Sequence, residues 1–211
     1  MKRVLITGVS KGIGRALAEV FLKNNFFVIG VGKTKPEFDY KNFHFIYNDF
    51  ENFKDFSIDF PLNIVVLNSG IAIYKKLKDA SLNDFEKIFK INMCGNLLTL
   101  KSVLGNLEKD GLVSFVSSIA TLNENNFENW GLYSSSKIAS EKALKVFAAE
   151  EDLKLLIFNI GRVDTDIWKS VKGKEANLPK MNRLAVAKQM FNEIMSALNN
   201  NDFSFKQVII D

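Results

Sequence analysis

A strand that runs straight into a glycine-rich turn opens the chain, and this stretch constrains the fold more than any other. Arg3-Val4-Leu5-Ile6-Thr7 is apolar and β-branched, and Gly8-Val9-Ser10-Lys11-Gly12-Ile13-Gly14-Arg15 follows it directly. The next segment, Gly14 to Asn24, sets Leu17, Val20 and Phe21 on one helical face. Strand, glycine turn and helix in that order make a phosphate cradle. Glycines allow a tight turn and close backbone approach, and the helix start offers unpaired N–H groups to an anion. The spacing is Gly-x-x-x-Gly-x-Gly, and no Gly-Lys-Ser/Thr closes it, so it is not a P-loop.

The remainder alternates in the same way. Short apolar runs recur at Phe26 to Val31, Phe43 to Tyr47, Ile64 to Asn68, Leu112 to Ser117, Lys154 to Asn159 and Gln207 to Ile210. Each reads as a strand buried on both faces. Between them lie helical patterns at Ser81 to Leu104, Tyr133 to Glu150 and Arg183 to Leu198. The first of these is read as two helices, or as one broken near Asn83 to Phe85. Ser81 with Asp84 three residues later approximates a capping box. Alternation of this kind predicts an α/β fold, a parallel sheet with helices on both faces in three α/β/α layers. Residues 1–211 read as a single domain, and 166–182, with Gly173 and Pro179, as a lid-like loop or short helix over a site.

Composition removes several alternatives. Lys and Arg number 28 against 24 Asp and Glu, a net charge of +4, and the signs are interleaved. No basic run reads as a nucleic-acid or membrane arm. The single cysteine, Cys94, excludes an internal disulfide and is expected to be buried in a helix. One histidine, His44, in a Phe-rich strand, reads as structural, and no metal site is expected. The 19 phenylalanines read as core filler. No signal peptide precedes the first strand, and no apolar stretch approaches the ~20 residues that span a bilayer. The expectation is a soluble, cytoplasmic protein.

Tyr133-Ser134-Ser135-Ser136-Lys137 puts a phenol and an ammonium one helical turn apart. A free Tyr has a pKa of roughly 10. A neighbouring cation favours the phenolate and lowers that value, which suits a general acid/base. The three intervening serines read as filler. Taken with Thr7-Gly8-x-x-x-Gly12-Ile13-Gly14, further stretches bring a family into view. They are Leu67-Asn68-Ser69-Gly70 after the fourth strand, Asn92 in mid-helix, Ser117-Ser118 at the end of the fifth strand, and Ile160-Gly161-Arg162-Val163-Asp164-Thr165. The chain resembles the short-chain dehydrogenase/reductase family from its first strand to about Thr165. Ser69 and Ile160 depart from it, standing where the family has Asn and Pro.

The resemblance implies a Rossmann-type doubly wound parallel sheet of about seven strands, a nicotinamide dinucleotide, and carbonyl–alcohol interconversion by hydride transfer. By the same resemblance, Tyr133 is the proton donor/acceptor and Ser118 holds the carbonyl oxygen. Lys137 lowers the Tyr133 pKa and grips the ribose, and Asn92 holds a water that links Lys137 to solvent. Adjacent strand residues point opposite ways, and Ser118 is the usual match of the two serines. The interval from it to Tyr133 is longer than usual, read as an insertion in Asn123 to Trp130. The dinucleotide is expected on Gly8, Ser10, Lys11, Gly12, Ile13 and Gly14, with Asn68, Ser69 and Gly70 beneath it. Asp49 and Phe50 lie by the adenine, and Val163 and Thr165 by the carboxamide.

NAD-preferring members usually carry an acid after the second strand. Here the chain reads Gly30-Val31-Gly32-Lys33-Thr34-Lys35, with no carboxylate before Glu37. Lys33 and Lys11 place two cations where a 2′-phosphate would lie, so NADP(H) is expected over NAD(H). Ile71 to Tyr74, Leu122, Trp130, Trp168 and the segment to Met181 are candidate pocket walls, which suits a small, partly hydrophobic ketone or aldehyde. The helices near Asp84 and Tyr133 form the usual interface of the family. Leu97, Leu100, Val103, Ile138 and Phe147 serve either that interface or the core, and a homodimer or homotetramer is expected. Two other readings stand beside the reductase: a non-catalytic NADP-binding sensor or regulatory protein, and an epimerase or dehydratase.

Overall fold

Seven parallel strands carry the fold of the computed structural model, which describes residues 1–122, 128–171 and 177–211. They are β1 (Arg3–Thr7), β2 (Phe27–Gly32), β3 (Phe43–Tyr47), β4 (Leu62–Leu67), β5 (Leu107–Ser118), β6 (Lys154–Ile160) and β7 (Phe205–Ile210). Their order across the sheet is β3-β2-β1-β4-β5-β6-β7, every pair parallel. The helices are α1 (Gly12–Lys23), α2 (Leu82–Phe89), α3 (Gly95–Val103), α4 (Gly131–Glu150) and α5 (Arg183–Leu198). This is the expected doubly wound, three-layer sheet.

Strand alternation builds the two cores. Val4, Ile6, Val28, Ile64 and Val66 face α1 and α5 in one apolar cluster. Leu5, Ile29, Val65, Leu67 and Phe115 face the other way, onto Leu100, Val103 and Leu144 of α3 and α4. Phe21 on α1 is wholly buried, with the rings of Phe26 and Phe191 set edge-on at 4.9 and 5.0 Å. Truncating it leaves a cavity that rigid neighbours do not fill. Phe21→Ala is expected to destabilise the protein by about 3–5 kcal/mol, read as a lower urea midpoint at unchanged slope.

Several expectations need correction. The edge strands β3 and β7 are not buried on both faces. His44, Tyr47, Phe205 and Ile209 are exposed, because the helix layers cover the middle of the sheet and not these two edge strands. The segment Ser81 to Leu104 forms two helices, α2 and α3, and its break is not near Asn83 to Phe85. The capping box of Ser81 and Asp84 forms as predicted and starts α2 cleanly. The irregularity falls at Lys90–Cys94, a π-helical turn between α2 and α3. Cys94 is exposed there, not buried, since the widened turn directs Asn92 inward instead. Leu100 and Val103 are core residues, Leu97 and Phe147 pack against the core, and Ile138 remains exposed.

The proposed insertion over Asn123 to Trp130 falls mostly on 123–127, outside the described residues, and so does 172–176 of the segment 166–182. The described part of that segment opens with a short 3-10 helix, Asp166–Ser170, and returns by a bridge between Val163 and Met181. Among the described residues no helix is long and apolar enough to cross a membrane, and no group of three His, Cys, Asp or Glu could hold a metal ion.

Candidate active site

Chain order reverses between β1 and β4. From β1 the sheet grows one way through β2 and β3, and from β4 the other way through β5, β6 and β7. Connections diverge there and leave a crevice beyond the carboxyl ends of the strands, where open α/β sheets bind ligands. A cleft of about 520 Å³ occupies that position.

The glycine loop forms one wall of it. Gly8 and Gly12 have φ of +72° and +60°, in the left-handed region that side chains rarely adopt. A Cβ on Gly14 would stand 2.3 Å from the Gly8 carbonyl oxygen. The loop is also tied to the end of β4. The Asn68 side-chain amide donates to the carbonyls of Thr7 (2.9 Å) and Gly8 (3.3 Å). Thr7 Oγ1 accepts from the backbone N–H groups of Asn68 and Ser69 and donates to Asn96 Oδ1. Thr7 and Asn96 are thus structural members of the site that sequence reasoning missed; the threonine opening the glycine motif was the available signal. Lys11 precedes α1 without a side-chain cap, which leaves the first N–H groups of the helix turned to the cleft, as an anion requires. The cradle, the residues that line the cleft from the glycine loop to Tyr133 and its donors fit a dinucleotide.

Ser10, Lys11, Gly12, Ile13, Lys33, Asp49, Phe50, Asn68, Ser69, Gly70, Val163 and Thr165 all line the cleft, together with Ser118, Tyr133 and Lys137. Gly14 and Asn92 lie just behind the wall. Lys87 and Glu51, unforeseen, line it near Asp49 and pair with each other at 3.4 Å. The two lysines expected at a 2′-phosphate do not stand alone. Lys33 Nζ lies 2.8 Å from Asp49 Oδ2, and Lys11 Nζ lies 3.1 Å from Asp166 Oδ2. The Lys33 ammonium holds the Asp49 carboxyl below its usual range, and Lys33 itself is raised. Both lysines are well exposed, so solvent screening leaves each pair weak.

Ser118 and Ser117 point opposite ways, as strand geometry requires. The Ser117 hydroxyl bonds Glu141, whereas the Ser118 hydroxyl accepts from the Ala120 N–H at 3.2 Å and hydrogen-bonds Tyr133. Tyr133 sits in an aromatic corner, 5.5 Å from the ring of Trp130, which in turn meets Tyr74 and Trp168. Trp130, Trp168, Ile71 and Ile167 line the cleft here, while Tyr74, Leu122 and Met181 do not.

Lys137 departs from expectation. Its Nζ donates to the Val116 carbonyl at 2.7 Å and lies 6.0 Å from the centre of the Tyr133 ring. Burial pushes the Tyr133 phenol up to about 12, and the Ser118 hydrogen bond offsets only part of this. The predicted lowering by Lys137 is absent because the ammonium is turned to the carbonyl and desolvation dominates. Burial also pushes Lys137 down, to about 8, against the opposing charge of Glu141.

Asn92 is held by the π-helical turn, a feature often found at functional sites. Its side chain accepts from the Ile71 N–H at 2.8 Å and donates to the Ile71 carbonyl and to Ser136 Oγ. Ser136 is wholly buried, so this serine is not filler. Asn92 Oδ1 and Lys137 Nζ face the same space beside Gly70, 3.4 and 3.2 Å from where a Cβ on it would stand.

A family model described as short chain dehydrogenase matches residues 53–176. An uncharacterized oxidoreductase of Schizosaccharomyces pombe is 31% identical over 81% of this chain and 74% of its own length. An NADPH-dependent 3-dehydrocapnine reductase of Ornithobacterium rhinotracheale is 26% identical over 82% and 69% respectively. Among solved structures, a short chain dehydrogenase family protein of Francisella tularensis superposes with a TM-score of 0.84 at 22% identity, covering 100% of this chain and 97% of its own. An alcohol dehydrogenase of Thermococcus sibiricus complexed with 5-hydroxy-NADP does so at 0.81 and 21%, covering 100% and 96%. These two likenesses concern the fold.

Proposed function

Because the chain belongs to the short-chain dehydrogenase family, whose members are oxidoreductases that bind a nicotinamide cofactor, we propose that it reduces a small, partly hydrophobic ketone or aldehyde with NADPH, Tyr133 serving as proton donor. One observation carries this reading: Tyr133, Ser118 and Lys137 line the same cleft as the glycine loop. When bound, the reduced nicotinamide supplies a hydride to the carbonyl carbon. Gly8 to Gly14 and Lys11 would hold the phosphates, Asp49 and Phe50 the adenine, and Val163 and Thr165 the carboxamide. A phenol held near 12 keeps its proton at neutral pH, which is the state that reduction needs. Ser118 donates a hydrogen bond to the carbonyl oxygen as charge builds there, and Tyr133 delivers the proton that completes the alcohol. The Lys137 ammonium would hold the ribose hydroxyls, and Asn92 with Lys137 leads a proton back towards solvent.

Support for the phosphorylated cofactor comes from Lys33 at the end of β2, the absence of an acid there, and the NADPH-dependent relative. The pairing of Lys33 with Asp49 is weak and solvent-facing, and a phosphate dianion competes with it for the ammonium. NADPH is expected to show the lower KM. Lys33→Ala should raise the KM for NADPH about tenfold and leave that for NADH unchanged. Equal Michaelis constants for the two cofactors in the wild type would refute the preference. The assembly is proposed as a homodimer or homotetramer. Exposed Leu82, Phe85 and Ile138, on α2 and α4, support this.

A further inference from the structure

Among the described residues, the buried carboxylate lies outside the residues named so far as machinery. Glu141 is 8% exposed and stands one helical turn beyond Lys137 on α4. Its Oε1 accepts from the Ser117 hydroxyl and from Asn159 Nδ2 at 3.0 Å, and lies 2.8 Å from Thr121 Oγ1. Gln207 Nε2, on the edge strand β7, approaches Oε2 at 3.5 Å and bonds Asn159 Oδ1 at 2.7 Å. Two of these partners also reach the Ser118 carbonyl, Thr121 at 2.8 Å and Asn159 at 3.2 Å. The carboxylate therefore ties the end of β5, where Ser118 sits, to α4, β6 and β7.

We propose that Glu141 is a positioning residue of this active site, fixing Ser118 through the end of β5 and offsetting the buried charge of Lys137. A buried charge is costly, and a hydrophobic side chain would fill a helix–sheet contact at lower cost. What the charge supplies is local. Around Lys137, α4 contributes Tyr133 and Glu141. β5 offers the Val116 carbonyl and neutral serines, the π-helical turn offers neutral Asn92, and β6 and β7 offer neutral Asn159 and Gln207. Glu141 is thus the carboxylate that holds Lys137 up against burial. Without it, the ammonium releases its proton at lower pH.

The inference rests on the reductase reading for its catalytic meaning, so its test begins with a readout independent of turnover. Protein labelled with carbon-13 at the lysine ε position is titrated, and the Lys137 resonance is assigned by its loss in Lys137→Met. Two variants are compared with wild type. Glu141→Gln removes the charge. Gln207→Lys sets a cation against the same carboxylate from an exposed edge position and spares the fold should the first variant fail to fold. In each, the Lys137 midpoint is expected to fall by about one pH unit or more. With a carbonyl substrate, the alkaline limb of kcat should move acidic by the same amount, giving about fivefold lower kcat near pH 8 at unchanged cofactor Kd. A merely structural role lowers stability and leaves midpoint and limb where they are. An unmoved midpoint in the folded variants overturns the proposal. Absence of turnover in wild type with a shifted midpoint defeats the functional reading and leaves the electrostatic pairing intact.

Discussion

Tyr133→Phe is expected to lower carbonyl reduction by about a thousandfold while NADPH binding and folding persist. The substitution removes one oxygen from a ring packed against Trp130 and keeps the volume that fills the corner. The lost hydrogen bond frees Ser118 Oγ, which still accepts from the Ala120 N–H. No other acid replaces the phenol, since Lys137 points at the Val116 carbonyl and Ser118 is too weak an acid. Cofactor binding follows from fluorescence change on mixing, and turnover from loss of nicotinamide absorbance. Turnover undiminished in the variant would show that the proton comes from elsewhere.

Gly14→Ala is the second large effect, and it acts on the other half of the site. The added Cβ would stand 2.3 Å from both the Gly8 carbonyl oxygen and Asn68 Nδ2, and the first of these is backbone that cannot rotate away. Relief requires the glycine loop to move off α1, which misaligns the phosphate donors. Overpacking of this kind costs about 1–3 kcal/mol of stability. The displaced cradle should lower kcat/KM on the order of a hundredfold, mostly through cofactor KM. Gly105→Ala is the control, because nothing lies within 4 Å of a Cβ there. A Gly14→Ala protein that bound NADPH as tightly as the control would remove the loop from the cofactor site.

Much of this architecture is legible in the chain because its signals are local. The apolar runs at Arg3 to Thr7 and Lys154 to Asn159 became strands at nearly those bounds, since a strand buried on both faces leaves no polar position to blur the pattern. Ser81 and Asp84 formed their capping box because both partners lie within one turn. What failed to show depends on residues far apart in sequence. An acid on an amphipathic helix reads as surface, and only the meeting of β5, β6 and β7 beneath α4 reveals Glu141 as buried. The pairing of Lys33 with Asp49 needs the ends of β2 and β3 side by side. Tyr133 and Lys137 share a face as their spacing implies. The direction of the Lys137 ammonium, however, is set by the Val116 carbonyl on another element, and burial raises the phenol where a lowered value was expected.

The proposed chemistry meets its most direct test in a panel of small ketones and aldehydes offered to wild type and Tyr133→Phe. NADPH carries deuterium at the transferring position of the nicotinamide. Wild type is expected to oxidise NADPH with at least one of these carbonyls and to leave the deuterium on the carbinol carbon of the product, and the variant to bind NADPH without doing either. Wild type that binds NADPH yet oxidises it with no member of the panel, or a variant that transfers the label at the wild-type rate, would contradict the assignment.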